Sequence, residues 1–359
     1  MKLLFITNGV TGSGGLERVL SVKTNLLIEK YGYEVSIISL NEENLSAFYS
    51  FNKNITFYNI KINDGLVGKI KDYIEGLRSI FHEFQPDIIS VCDDGVKGLF
   101  LPLIFKKNIK FIYERHASKE MNFKNPKSIK SGIFSILMNY GAGLYDKFIV
   151  LTDSNKKEWK TNNIISIPNP LSFYPSQVFQ EKEEKKVIMV GSHSYIKGLD
   201  RLLNIWAKVY SQNPSWNLEI FGKIDKDRTF IRLANKLNLK STVKFFDPVN
   251  DIESEYLQAS IFALSSRSEG FGMVIVEAMA CGLACIAYDC PSGPRDIITD
   301  GIDGFLIPEG DEQVFIEKLQ LLMNDHNLRY RMGEMARKKA LKYKPENILP
   351  QWDKLYKSL

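Results

Sequence analysis

The stretch at residues 186–222, KVIMVGSHSYIKGLDRLLNIWAKVYSQNPSWNLEIFG, carries the pattern that decides the fold. A short apolar run, KVIMVG, enters a polar loop with glycines at 191 and 198. A helical stretch over 199–210 follows, and then a second apolar run, WNLEIFG. Strand, loop, helix and strand in this order return the chain so that the two strands lie parallel. The alternation continues downstream. A helix over 228–238 precedes TVKFFD (242–247), one over 251–258 precedes SIFALSS (260–266), and one over 274–280 precedes ACIAYD (284–289). GFLIPEG (304–310) then leads into an amphipathic helix over 312–323.

The first half has the same character. KLLFITN (2–8), EVSIISL (34–40), ITFYNI (55–60), DIISVC (87–92), KFIYE (110–114) and KFIVLT (147–152) read as strands, with helices over 16–30 and 68–84. Between the halves, IISIPNPLSFYP (164–175) carries Pro168, Pro170 and Pro175, and EKEEKK (181–186) is a solvated charge run. Prolines and charge mark an interdomain connection. The expected organisation is α/β: a first domain over 1–170, a linker over 171–186, a second domain over 187–343, and a terminal segment over 344–359. That segment holds Trp352 and Leu355, which need an apolar surface, and the first domain is expected to supply it. Two mostly parallel sheets covered by helices place functional loops at the carboxyl ends of their strands, so ligands are expected in a cleft between the domains.

Composition narrows the function. The 359 residues, 44% hydrophobic and 25% charged, suit two domains with real cores. The four cysteines form no C-x-x-C pair, which argues against a disulfide scaffold or a metal finger. The start reads as a strand entering a glycine loop rather than a secretion signal, and no run of eighteen apolar residues occurs, so a cytoplasmic protein is expected. Net charge is +5, and all of the excess lies in residues 1–170. Residues 97–130 hold nine basic side chains and two acidic ones. This run matches no nucleic-acid reader, and no nucleic-acid partner is expected. Lys124, Lys127 and Lys130 instead stand just before Ile133, Phe134, Ile136, Leu137 and Met138, a combination that suits an anionic membrane surface unless the apolar residues are ordinary core.

Candidate chemistry gathers in four loops. GVTGSGGLERV (9–19) lets backbone approach a ligand and opens a helix whose free N–H groups suit an anion, without matching a dinucleotide or ATPase fingerprint. GSHSYIKGLD (191–200) brings Lys197 and His193 to the equivalent place in the second half. In SSRSEGFGMVIVEAMACGLACIAYDCPSGPRD (265–296), Glu269 follows a strand and Glu277 lies eight residues on, in a helix that is otherwise nearly all apolar. A carboxylate buried there needs a partner, either ligand hydroxyls or an arginine such as Arg267 or Arg295. His116, at a strand end, is placed to meet a sugar hydroxyl or a phosphate. The four histidines are scattered, Asp93-Asp94 is a weak invitation to Mg²⁺, and no G-x-S-x-G elbow is present, so neither a metal site nor a serine nucleophile is expected.

These segments together resemble the retaining glycosyltransferases of family 4, the group 1 glycosyltransferases of the GT-B fold, over essentially the whole chain. Glu269-Gly-Phe-Gly through Glu277 matches the family's E-x7-E motif, flanked by SSR and EAMACG. GSGGLERV (13–20), IPNP (167–170), VGSHSYIKGLD (190–200), PSGPRDII (291–298) and GIDGFLIPEGD (301–311) complete the likeness to bacterial enzymes of polysaccharide and lipid-linked glycan synthesis.

The resemblance implies two Rossmann-like domains, the first for the acceptor and the second for a nucleotide-sugar donor, with the last helix crossing back. It implies that Glu277 binds ribose hydroxyls, that Glu269 lies by the donor sugar, and that Lys197 holds the diphosphate. Gly270, Phe271 and Gly272 would offer backbone to sugar or phosphate. Gly14 and Gly15 would approach the diphosphate, and His116 the transferred sugar, with Asp93 and Arg115 on the acceptor side. A UDP-sugar donor is favoured from PSGPRD, with GDP-mannose open, and the acceptor is a glycan or polyprenyl-diphosphate-linked glycan. No cofactor or metal is implied. One departure stands out: where the family has an arginine after the loop glycine, this chain has Ser192 and then His193. Either a protonated His193 replaces it, or Arg267 or Arg295 reaches over, or support of the leaving group is weaker. Competing readings are a nucleotide-sugar epimerase of the same fold and a non-catalytic nucleotide-sugar-binding protein; a glycan phosphorylase would need a longer chain with a pyridoxal-binding lysine.

Overall fold

The computed structural model describes residues 1–42, 46–63, 66–105, 109–123, 128–178 and 184–359. The chain divides into two compact units, Met1–Pro170 with Pro345–Leu359, and Leu171–Lys344.

In the first unit, strands β1 (Lys2–Thr7), β2 (Glu34–Leu40), β3 (Thr56–Ile60), β4 (Ile88–Cys92), β5 (Lys110–Glu114), β6 (Lys147–Val150) and β7 (Ile164–Ser166) form one parallel sheet in the order β3-β2-β1-β4-β5-β6-β7. The helices are α1 (Gly15–Tyr31), α2 (Leu66–Phe84), α3 (Leu101–Phe105), α4 (Ile129–Gly143) and α5 (Asp153–Lys156). Alternate residues of β1 serve opposite faces. Leu4 and Ile6 pack with Leu77, Ile80 and Phe81 of α2, whereas Leu3 and Phe5 pack with Leu20 and Leu27 of α1. A sheet buried on both faces explains why the strands read as continuous apolar runs rather than alternating ones.

The second unit repeats the plan. β8 (Lys186–Val190), β9 (Asn217–Phe221), β10 (Val243–Phe246), β11 (Ile261–Leu264), β12 (Ala284–Tyr288) and β13 (Gly304–Ile307) are parallel in the order β10-β9-β8-β11-β12-β13. Helices α6 (Leu199–Tyr210), α7 (Thr229–Lys236), α8 (Ile252–Leu257), α9 (Met273–Ala280), α10 (Pro294–Ile297), α11 (Glu312–Asn324) and α12 (His326–Ala340) accompany it. Both sheets have the doubly wound order, which reverses between β1 and β4 in one and between β8 and β11 in the other; such reversal points are where open α/β sheets bind ligands.

The last helix, α13 (Pro345–Lys357), returns to the first unit, where Ile348, Leu349, Trp352, Leu355 and Tyr356 join the core beside α1. It starts at Pro345, whose fixed φ suits a first helical turn. The expected connection over 171–186 divides. Leu171 donates its N–H to the Tyr343 carbonyl (2.8 Å) and Tyr174 its hydroxyl to the Arg337 carbonyl (3.2 Å), so this end is held by the second unit. Residues 179–183, with the first half of the charge run, lie outside the described residues, and Lys186 already opens β8.

Candidate active site

Two loops of the second unit, after β8 and after β11, are locked together at the reversal point. Gly198 ends the first with φ +67°, and a Cβ there would stand 1.9 Å from the Ser265 carbonyl oxygen, so only glycine lets the loops approach this closely. Ser265 donates its hydroxyl to the carbonyls of Gly198 (2.9 Å) and Lys197 (3.1 Å). The Arg267 N–H reaches the Ile196 carbonyl (2.8 Å).

This clamp carries two of the expected site residues into contact. Lys197 Nζ lies 2.8 Å from Oε1 and 2.9 Å from Oε2 of Glu269, with side chains 25% and 7% exposed. Ser266 donates to Glu269 Oε1 (2.6 Å), and the Ser292 hydroxyl to the Glu269 carbonyl (2.8 Å). Gly293, at φ +91°, lies so close to the Phe271 carbonyl that a Cβ would come within 2.3 Å of it. The PSGPRD segment is thereby pressed against the Gly270–Gly272 turn. Gly272 caps α9 without a side chain, leaving first-turn N–H groups of the kind that bind anions.

Glu277 is fully buried on α9, and the arginines that sequence offered as partners are engaged elsewhere. Arg267 is bidentate to Asp200 (2.7 and 2.6 Å) and stacks on Tyr195; Arg295 is paired with Asp289 (2.8 Å). Burial would raise the Asp200 carboxyl, but Arg267 outweighs it and holds the pKa below its usual value. Glu277 instead accepts from two hydroxyls, Tyr256 and Ser172, each at 3.4 Å. A carboxylate arranged to accept from hydroxyls is the arrangement a sugar would extend.

The three substitutes for the missing arginine do not supply a charge in this arrangement. His193 is buried against Phe245, and burial lowers its pKa despite Asp225 and Asp247, which disfavours the charged ring. Arg267 and Arg295 are committed to carboxylates. Ser192 is hydrogen-bonded within its own loop, to Ser194 (3.4 Å).

In the first unit the glycine loop is shaped by carboxylates that the sequence did not single out. Glu42 accepts from the N–H groups of Val10 (2.8 Å) and Thr11 (3.1 Å). Glu17 folds back over Gly12 and Gly14, and burial raises its pKa. Gly15 opens α1. Asp93 accepts from Gly95 and Gly98, and Asp94 from the N–H groups of His116 and Ala117 (both 2.8 Å), so both aspartates organise backbone. Arg115 is buried and donates to the carbonyls of Asp94, Ala117 and Ser118.

His116 lies beside a sealed pair. Lys23 of α1 and Glu114 of β5 are each 1% exposed, with Lys23 Nζ 2.6 Å from Glu114 Oε1, and His116 Nε2 stands 3.4 Å from Glu114 Oε2. Cys92, Glu114 and His116 place potential ligand atoms within 4.8 Å of one another. The donor set fits a metal poorly, because the Glu114 carboxylate already holds an ammonium group and burial pushes the Cys92 thiol well up, keeping it protonated. A lysine within the buried stripe of α1, between Leu20 and Leu27, was the sequence signal for this pair.

The expected apolar stretch of α4 separates into two faces. Met138 is core and Phe134 half-buried, whereas Ile129, Ile133, Ile136, Leu137 and Tyr140 are exposed, Ile129 to 85%. Lys106, Lys107, Lys124 and Lys127 of the basic run lie outside the described residues; Lys130 is exposed.

Known proteins match both units. Residues 173–339 match the family "Glycosyl transferases group 1", and residues 18–151 match "Glycosyl transferase 4-like". An uncharacterized glycosyltransferase of Haemophilus influenzae is 31% identical, covering 98% of each chain. The chain is a group 1 glycosyltransferase. The amylovoran biosynthesis glycosyltransferase AmsD of Erwinia amylovora is 28% identical, again over 98% of each chain. The Staphylococcus aureus protein TarM, crystallised with UDP, shares the fold with a TM-score of 0.81 at 15% identity over 99% of each chain. A group 1 glycosyltransferase takes its sugar from a nucleotide-diphosphate sugar. Among the described residues, no helix is long and apolar enough to cross a membrane.

Proposed function

We propose that this glycosyltransferase works with retention, moving a hexose or N-acetylhexosamine from a UDP-sugar to a hydroxyl of a glycan or polyprenyl-diphosphate-linked glycan. The observation that carries this reading is the partly exposed Lys197–Glu269 pair at the reversal point of the second sheet, next to the free N–H groups of α9. A diphosphate arriving there draws the ammonium of Lys197 from Glu269. Glu269 is then released to accept hydroxyls of the donor sugar.

Glu277, already solvated by hydroxyls, takes those of the ribose. Gly270, Phe271 and Gly272 offer backbone to sugar or phosphate. The family resemblance adds His116 for the transferred sugar and Gly14 and Gly15 for the diphosphate. As the bond from the anomeric carbon to the phosphate oxygen breaks, its electrons go to the leaving phosphate. Positive charge develops on the sugar, which Glu269 is placed to offset. The acceptor oxygen bonds the same face of that carbon, and its proton passes to the departing phosphate. Lys197 and the α9 N–H groups stabilise the charge left behind. With Ser192 in place of an arginine and burial disfavouring a charged His193, Lys197 bears more of this task than in relatives with two cations.

The UDP preference rests on the PSGPRD segment, and the TarM likeness is consistent with it. The exposed face of α4, which in sequence follows a basic stretch, supports contact with an anionic bilayer, and with it an enzyme working at the cytoplasmic surface of the membrane on a lipid-linked acceptor.

A donor screen with a polyprenyl-diphosphate-sugar acceptor, reading nucleotide release and product linkage together, tests the reaction. Glu277→Ala should fold yet lose UDP-sugar binding by calorimetry; unchanged titration removes that role. Cosedimentation with anionic vesicles, weakened by charged substitutions at Ile133 and Ile136, tests the membrane face; equal pelleting with neutral vesicles rejects it.

A further inference from the structure

A buried lysine–glutamate pair is a costly way to hold two elements together. Removing both charges from water is repaid only in part by their attraction, and apolar residues of similar size hold a core at least as well. The first unit nevertheless seals Lys23 and Glu114 away. The rings of Trp352 (4.1 Å to the centroid) and Phe5 (4.9 Å) cover the ammonium. Ser90 donates to Glu114 Oε1 at 2.5 Å. The other carboxylate oxygen, Oε2, accepts from the Lys23 ammonium as Oε1 does and also faces His116 Nε2 at 3.4 Å. Beyond that ring, Asp94 fixes the His116 backbone N–H and Arg115 fixes the carbonyls on either side. Among the described residues, neither ring nitrogen of His116 makes a hydrogen bond of good geometry; Nε2 has the Glu114 carboxylate 3.4 Å away and Nδ1 has no partner.

We infer that Glu114, neutralised by Lys23, is a positioning residue for His116: its Oε2 accepts the Nε2 proton, fixes the tautomer and ring plane, and leaves the Nδ1 lone pair to accept a hydroxyl of the transferred sugar. The inference rests on the reading of His116 as a residue that meets substrate. A carboxylate hydrogen-bonded to one imidazole nitrogen commonly sets which nitrogen carries the proton. Lys23 is what makes the arrangement stable, since without it Glu114 would be a lone buried charge. Trp352 extends the chain of support to α13, so the returning helix closes the far side of the pair rather than only covering apolar surface. Glu17 of α1 also acts on the ring, through space.

The test uses the full chain labelled with ¹⁵N-histidine, with the His116 signals assigned by their loss in His116→Gln. The wild-type ring should be a single tautomer protonated at Nε2. The double variant K23M/E114Q removes both charges together and should give mixed tautomers. Its kcat should fall on the order of 10–100-fold, with donor KM within about twofold. Adding His116→Gln to the double variant should cost no more than His116→Gln alone. Should K23M/E114Q fail to fold, Glu114→Asp withdraws the carboxylate by one methylene while leaving Lys23 a partner, and the same loss of the single tautomer is expected. An unchanged Nε2 tautomer in the variants, or kinetic losses that multiply, overturns the inference. Coupled tautomers together with an active His116→Gln enzyme would uphold the positioning and reject the sugar contact.

Discussion

The two units each set a lysine against a glutamate at the carboxyl end of a doubly wound sheet, and the two pairs differ in access. Lys197 and Glu269 are 25% and 7% exposed, held by loops whose closeness depends on Gly198. Lys23 and Glu114 are 1% exposed each, roofed by Trp352 of the returning helix. The contacts are chemically the same, but the work each can do is different. A pair that solvent reaches can be opened by an arriving anion, so its attraction is available for exchange. A sealed pair cannot be exchanged, and it acts only by what it holds still.

That contrast should appear first in stability. Lys23→Ala leaves Glu114 buried without its counter-charge and is expected to lose about 3–5 kcal/mol in urea unfolding. Lys197→Ala should change the same measurement by less than about 1 kcal/mol, because its site is partly solvated. The same change should lower kcat on the order of 10²–10³-fold through lost stabilisation of the leaving phosphate. A Lys197→Ala enzyme of normal rate, or a Lys23→Ala protein of normal stability, would break the comparison.

Acid gives a smaller effect with a definite sign. Burial alone would raise the Glu114 carboxyl; the charge of Lys23 and the contact with His116 overturn this and hold it at about 2, against an ordinary value of 4.5. A carboxyl whose folded-state pKa is depressed stabilises the fold above its unfolded pKa, and that contribution is lost as pH falls from about 4.5 toward 2. The melting temperature of the wild type should therefore fall more steeply over that window than that of K23M/E114Q. Parallel curves would mean that the pair contributes no proton linkage.

The residues of the open pair stood out in sequence, though not their contact, whereas the sealed pair left only a lysine on an apolar helix face, for a physical reason. Lys197, Glu269 and their glycines lie in loops next to strand ends, where polar residues and backbone freedom stand out against apolar runs. The strands themselves could be anticipated for the same reason, since strands buried on both faces announce themselves as unbroken apolar segments, but their order in the sheet could not. Lys23 and Glu114 sit inside a helix and at a strand end 91 residues apart, and only folding shows that they meet. Arg267 misled in the opposite sense. Sequence offers it as a partner for Glu277 and as one of several replacements for the missing arginine, but its planar fork matches Asp200 and its face matches Tyr195, and neither partner is close to it in sequence. The C-terminal helix was readable because Trp352 and Leu355 demanded cover; that it also roofs a charge was not.

Glu277 extends the comparison to a third carboxylate, and its test has the smallest expected effect. It is buried like Glu114 but accepts from the hydroxyls of Tyr256 and Ser172 at 3.4 Å, long bonds that each contribute little. Tyr256→Phe should lower the stability of the free protein by about 1 kcal/mol, since a buried carboxylate loses one donor. If the ribose of the donor brings hydroxyls to Glu277, bound UDP-sugar should recover part of that loss. The thermal shift caused by saturating UDP-sugar would then be larger in Tyr256→Phe than in the wild type. A stabilising ligand whose shift is the same in both proteins would place the ribose away from Glu277, and the hydroxyls around this carboxylate would then serve only to keep it buried.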